Sequence, residues 1–175
     1  EKFRNDIFKV SEKLCKKLTD KQIQKLSFVG ERLIELYQQN LVKINHSVLE
    51  LICASEFIRY GYEVDVEKKL SDILVCDIFA KKGDGSAIIE IETGFTPPAH
   101  ALNTVDYYIA RIISKISRYS QFCSKFSLAT PVVGVLPIPS IFLVPPTARR
   151  QSDIRNNQII CNRFYKNPAI EFDNI

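Results

Sequence analysis

The chain contains no methionine, no tryptophan and only two histidines among its 175 residues. The lack of any methionine, an initiator included, predicts an N-terminus that is incomplete or processed. His46 and His100 stand alone, with no partner at ligand spacing, and neither is assigned a role. No run of about 18 apolar residues exists, which excludes a helical membrane span. The opening EKFRNDIFKVSEK is charged throughout and lacks the apolar stretch of a signal peptide. The cysteines, at positions 15, 53, 76, 123 and 161, are odd in number and show no C-x-x-C pair. That excludes the common zinc and redox motifs and points to a reducing, cytoplasmic compartment. Repeats and low-complexity tracts are absent too.

What remains is ordinary globular material. Hydrophobic residues make up 46% and charged residues 25%, enough for a core in one domain with a small appendage. The net charge of +4 permits nucleic-acid binding without requiring it.

The pattern along the chain predicts an α/β fold. Phe3, Ile7, Val10, Leu14 and Leu18 recur at helical spacing. Thr19 or Asp20 caps a second helix bearing Ile23, Leu26, Val29, Leu33, Leu36 and Tyr37. Residues 1–44 thus read as a helical segment packed on the core, or one that binds a partner or a second copy in a homodimer. Asn45 opens a third helix with Val48, Leu49, Ile52, Phe57 and Ile58, and Gly61 is its candidate C-cap. The period then changes to two. Strands are expected at 62–66, 73–80 and 87–92, the last two joined as a hairpin through a tight turn at 81–86. Gly94 and Pro97–Pro98 break the chain before a helix at 104–122. Short strands are expected at 127–130, 132–135 and 141–144. From 145 to 175 a polar C-terminal extension carries Arg149, Arg150 and Arg155, with one further strand candidate at 159–164. The order implies a mixed central sheet with helices on both faces, the core lying at 45–144.

One stretch carries chemistry. Asp77 sits among Val75, Cys76, Ile78 and Phe79; Glu90 and Glu92 sit among Ile88, Ile89 and Ile91. Strands this apolar are covered on both faces, where a carboxylate is costly unless paired or bound to a metal. Glu90 and Glu92, two apart, project to one face, and the hairpin brings Asp77 beside them. Their mutual repulsion is relieved by a divalent cation, and oxygen-only ligation suits Mg²⁺ or Mn²⁺.

Asp77-Ile78-Phe79-Ala80, a turn, and then Glu90-Ile91-Glu92 resembles the PD-(D/E)XK, or restriction-endonuclease-like, nuclease superfamily. Over roughly residues 45–130 the pattern is similar to that of archaeal Holliday-junction resolvases, with D-I-x-A in one strand and E-x-K in the next. The resemblance implies a three-layer restriction-endonuclease-like core. It also implies a cation held by Asp77, Glu90, the Ile91 carbonyl and Glu50, which occupies the place of the family's helix glutamate. The implied activity is Mg²⁺- or Mn²⁺-dependent hydrolysis of DNA phosphodiester bonds.

This chain departs from the pattern at two places. Cys76 precedes Asp77 where proline is usual, and Glu92 replaces the catalytic lysine. In some members of the superfamily that lysine lies on the following helix. Here Tyr108, Arg111, Lys115 and Arg118 recur at spacings of three and four on one face, so Lys115 is the candidate replacement. The candidate catalytic set is therefore Asp77, Glu90, Glu92 and Lys115. Arg111 and Arg118, with Lys68 and Lys69, are candidate nucleic-acid contacts, and Lys81–Lys82 sit at a turn that could also meet phosphate. Ser114, Ser117 and Ser120 have no histidine in register, which removes a serine hydrolase. Two readings stay open: an endonuclease, or a nuclease-like module that binds nucleic acid or a protein partner without chemistry.

Overall fold

Three helices precede the sheet: α1 (Lys2–Cys15), α2 (Asp20–Gln38) and α3 (Ile44–Arg59). Their apolar residues lie on single faces, as the spacing requires. α1 buries Phe3 and Ile7, α2 buries Leu26, Val29 and Leu33, and α3 buries Leu51, Ala54 and Ile58. Thr19 starts α2, and its amide donates to Gln22 Oε1 at 3.0 Å. α3 stops at Gly61, whose φ of 85° suits a residue without a Cβ. The Gly61 and Tyr62 amides donate back to the Ile58 and Phe57 carbonyls at 2.9 and 3.0 Å.

The computed structural model describes residues 1–165, and these form an α/β arrangement with a four-stranded mixed sheet and flanking helices. The strands are β1 (Glu63–Lys69), β2 (Val75–Lys82), β3 (Gly85–Ile91) and β4 (Lys125–Ala129), in that spatial order. β1, β2 and β3 are successively antiparallel. Gly83, at φ 58°, and Asp84 turn the hairpin between Lys82 and Gly85. Val66 lies opposite Ile78, and Ile78 opposite Ile89, so the three share a sheet face. That face forms one core with the buried residues of α1, α2 and α3.

The chain divides into two compact units. The first holds residues 1–91 together with 127–129, the end of β4. The second holds 92–126 and the residues from Thr130 onward. It contains α4 (Thr104–Tyr119) and α5 (Gln151–Phe164), packed on each other around Ile113, Ile141, Ile154 and Cys161. No helix among the described residues is long and apolar enough to cross a membrane.

Several expected elements differ. β1 runs three residues further than the alternation suggested, to Lys69. β3 ends at Ile91, so Glu92 lies beyond the strand in which it was placed. The expected strand at 132–135 is absent, and Val132, Val133 and Val135 are exposed. Residues 141–144 fall in a 3-10 turn, Ser140–Phe142, and the coil after it. The prolines at 131, 137, 139, 145 and 146 supply no amide, so this segment cannot sustain a ladder. The expected strand at 159–164 is the second half of α5: Ile154 and Cys161, seven apart, lie on one helical face. The rest of the C-terminal extension, 166–175, lies outside the described residues.

Candidate metal centre

The hairpin changes character where its carboxylates begin. The last regular pair toward this end is Ile78 with Ile89. At the next position the side chains take over from the backbone. Glu90 Oε1 accepts from the Asp77 amide at 3.0 Å, and Asp77 Oδ2 accepts from the Ile91 amide at 2.6 Å. Charge-assisted bonds of this kind hold both carboxylates in place inside the protein. Asp77 and Glu90 are both buried.

α3 supplies a second pair. His46 and Glu50 are four apart and share a helical face. His46 Nδ1 lies 3.2 Å from Glu50 Oε1. On the other side of the ring, Nε2 lies 3.4 Å from both Asp77 Oδ2 and the Ile91 carbonyl oxygen. Glu50 is wholly buried, and its Oε2 has no hydrogen-bond partner among the described residues.

β1 supplies Glu67. The pairs Val66–Ile78 and Lys68–Cys76 bracket it, so Asp77 is its register neighbour. Its φ of 48° is left-handed, which breaks the strict alternation of the strand. His46, Glu67 and Asp77 each bring one ligand atom to within 4.8 Å of the others.

The electrostatics follow from crowding carboxylates away from water. Burial pushes Glu67 up to about 8, helped by the charges of Glu50 and Asp77. Burial also raises Glu50. For His46 burial acts downward, yet its hydrogen bond to Glu50 and the charges of Asp77 and Glu50 together raise it to about 9. With no ion bound, these shifts favour a protonated Glu67 and a cationic His46 near neutral pH. Cys76 is pushed up to about 12 by burial and then by the charges of Glu90 and Asp77, so its thiol is not a nucleophile here.

The second unit holds its own buried cluster. Glu92, 2% exposed in its side chain, is met by Arg111 Nη2 at 2.8 Å and Lys115 Nζ at 2.9 Å. Arg111 also donates to the Phe95 carbonyl at 2.6 Å and lies over the Tyr108 ring, 4.9 Å from its centre. Glu92 thus belongs to a neutralising triad of side chains rather than to the strand that carries Glu90. This corrects the expectation that it projects from β3 beside Glu90.

The other basic candidates make local contacts. Lys68 Nζ lies 4.3 Å over the Phe79 ring and 3.7 Å from Asp65. Lys69 Nζ lies 3.1 Å from Asp72. Arg118 lies over the Tyr119 ring, and Lys82 donates to the Tyr60 carbonyl at 2.7 Å.

His46 and Glu67 are absent from the residues that sequence reasoning selected. The one sequence signal for His46 was its spacing of four from Glu50. Glu67 gave none. By alternation it counts with Glu63 and Asp65 on an outward face, and only the register of β1 against β2 sets it opposite Asp77. His100 stacks on Tyr107, with ring centres 4.4 Å apart.

No protein-family model, no curated protein and no solved structure matches the chain. Its fold and site define it only as an α/β chain in which two partly buried carboxylates, on two strands, gather with an imidazole on a helix.

Proposed function

We propose that this chain is a divalent-metal-dependent endonuclease that hydrolyses DNA phosphodiester bonds on a restriction-endonuclease-like core of the PD-(D/E)XK type. The observation that carries the reading is the crossed pair in which the Asp77 and Glu90 carboxylates bond the amides of the facing strands. Two carboxylates buried side by side in a hairpin repel one another, and a divalent cation relieves that repulsion. Glu50, buried with Oε2 lacking a hydrogen-bond partner among the described residues, is a third buried carboxylate. In this reading Asp77, Glu90 and Glu50 are the residues that would hold the ion, and an all-oxygen set of that kind would suit Mg²⁺ or Mn²⁺. When bound, such an ion would supply Lewis-acid chemistry toward a phosphate and an activated water.

The residues have distinct parts in this reading. The backbone amides of Asp77 and Ile91 keep the two carboxylates oriented for a ligand. In the second unit, Arg111 and Lys115, both paired with Glu92, are the cationic side chains this reading offers to nucleic acid. Lys68, Lys69 and Arg118 contribute sequence-independent contacts to the DNA backbone.

Supercoiled, branched and single-stranded DNA incubated with Mn²⁺ tests the proposal. The wild type should cleave at least one of them, and Asp77→Ala should not. Absence of cleavage by the wild type, or equal cleavage by Asp77→Ala, refutes it. One observation favours a second reading, a module that binds DNA without cutting it: Glu92 stands where the family has a lysine, and it pairs with both Arg111 and Lys115. DNA binding that is unchanged in Asp77→Ala, with no cleavage by either protein, selects the module.

A further inference from the structure

We propose that the first unit binds one first-row transition-metal ion on a mixed nitrogen–oxygen ligand set, His46 Nε2 with the carboxylates of Glu67 and Asp77, and prefers Mn²⁺ and Zn²⁺ to Mg²⁺. The inference deepens the metal-dependent reading above and rests on it for the presence of a cation. It changes the ligands and the kind of ion.

Three separate elements deliver the donors: α3, β1 and β2. Their ligand atoms all lie within 4.8 Å of one another. Donors about 2.1 Å from a shared ion are separated by about 3.0 to 3.4 Å in octahedral or tetrahedral geometry. The His46 Nε2 to Asp77 Oδ2 distance is 3.4 Å. The pair is thus already at the spacing of two ligands of one ion.

Glu50 is the independent observation. It is 0% exposed, it contacts His46 Nδ1 at 3.2 Å, and Oε2 is left without a hydrogen-bond partner among the described residues. A carboxylate on one imidazole nitrogen fixes the tautomer and ring orientation and leaves the other nitrogen's lone pair for a metal. Glu50 thereby becomes a positioning residue for the ligand and not a ligand itself.

Glu67 completes the set because of its register in β1. A residue in ordinary strand geometry between Val66 and Lys68 would alternate with them. The register sets Glu67 opposite Asp77, at a left-handed residue of φ 48°, and its carboxylate lies within reach of His46 and Asp77. Imidazole nitrogen is a good ligand for Mn²⁺ through Zn²⁺, whereas Mg²⁺ takes oxygen almost exclusively. One nitrogen among the donors therefore sets the preference.

Pulsed EPR of the Mn²⁺-loaded chain, with calorimetric titration of Mn²⁺, Zn²⁺ and Mg²⁺, tests the assignment. One ion should bind, with Mn²⁺ and Zn²⁺ at least about 10-fold tighter than Mg²⁺. The Mn²⁺ spectrum should show coupling to a histidine nitrogen, present in His100→Ala and lost in His46→Gln. His46→Gln and Glu67→Gln should each weaken Mn²⁺ binding by about 10-fold or more, and Glu50→Gln by a smaller factor. Circular dichroism in EDTA checks that each variant is folded, and the wild-type spectrum alone is decisive if one is not. An ion bound without nitrogen coupling, or equally tight Mg²⁺ and Mn²⁺, overturns this inference and leaves the nuclease reading standing. No binding of any of the three ions overturns both. Binding through His46 without DNA cleavage supports the inference and overturns the nuclease reading alone.

Discussion

Removing divalent ions should destabilise the protein, and by more at high pH than at low. In the ion-free state, protons neutralise the site. His46 is raised from 6.5 to about 9, and Glu67 from 4.5 to about 8. Both folded values lie above the unfolded ones. Each group therefore contributes stability that is full below its unfolded value and is lost as pH rises through its folded one. Ion-free stability should fall between about pH 5 and pH 9. The His46 rise corresponds to about 3 kcal/mol at about 1.4 kcal/mol per pKa unit. Its side chain is 30% exposed, and Glu67 titrates in the same field, so about 1–2 kcal/mol is the expected loss. For a chain of this size that is a fall in Tm of about 2–8 °C. A bound cation takes over the neutralising role of the protons and competes with them, so the loss should vanish when the ion is saturating. Mn²⁺ at about 100 times its Kd adds about 2.7 kcal/mol, or about 5–11 °C. Scanning calorimetry at about pH 6 and about pH 8.5, each with EDTA or Mn²⁺, reads all four states. The reasoning is refuted if Mn²⁺ leaves Tm unchanged, or if its effect is no larger at the higher pH.

Other parts of the structure make independent claims. Ile78, fully buried between Val66 and Ile89, should cost about 2–5 kcal/mol when replaced by alanine; a loss below about 1 kcal/mol in urea denaturation would contradict the sheet register. Lys115→Ala leaves the buried Glu92 carboxylate with less compensation and should cost about 1–3 kcal/mol, while Glu92→Gln with Lys115→Ala together should cost less than the two single changes summed. Thermal melts of the three variants give that coupling, and strict additivity would dissolve the ion pair. Cys76 should resist alkylation in the native protein because its thiol is buried and pushed up to about 12; modification as fast as in the denatured chain would refute that environment.

Local pattern determined much of this molecule. The spacing of Phe3 and Ile7, of Leu26, Val29 and Leu33, and of Leu51, Ala54 and Ile58 is enough to make three amphipathic helices. Gly61 ends the third because only a residue without a Cβ takes that backbone cheaply. Gly83 and Asp84 between two apolar runs make a hairpin, and a hairpin brings Asp77 beside Glu90. These outcomes depend on neighbours a few residues away, which a sequence displays directly.

Where local pattern misled, a competing local rule or a distant partner prevailed. Val132, Val133 and Val135 have strand propensity, but the surrounding prolines remove the amides a strand needs. Ile159 and Ile160 look like a strand until Ile154 and Cys161 define a helical face that packs on Ile113. Glu92 reads as the second member of an E-x-E strand, yet β3 ends one residue before it, and two cations from α4 claim its carboxylate.

The sequence by itself determined the helices, the hairpin and the two carboxylates that the hairpin carries. Only the tertiary structure decided that His46 and Glu67 join them. Helix spacing relates His46 to Glu50 and no further, and strand alternation groups Glu67 with Glu63 and Asp65 without showing which residue of β2 it faces. Their approach to Asp77 depends on the docking of α3 against the sheet and on the pairing of β1 with β2. Contacts among residues 46, 67 and 77 come from packing and register, which no single segment of the chain encodes.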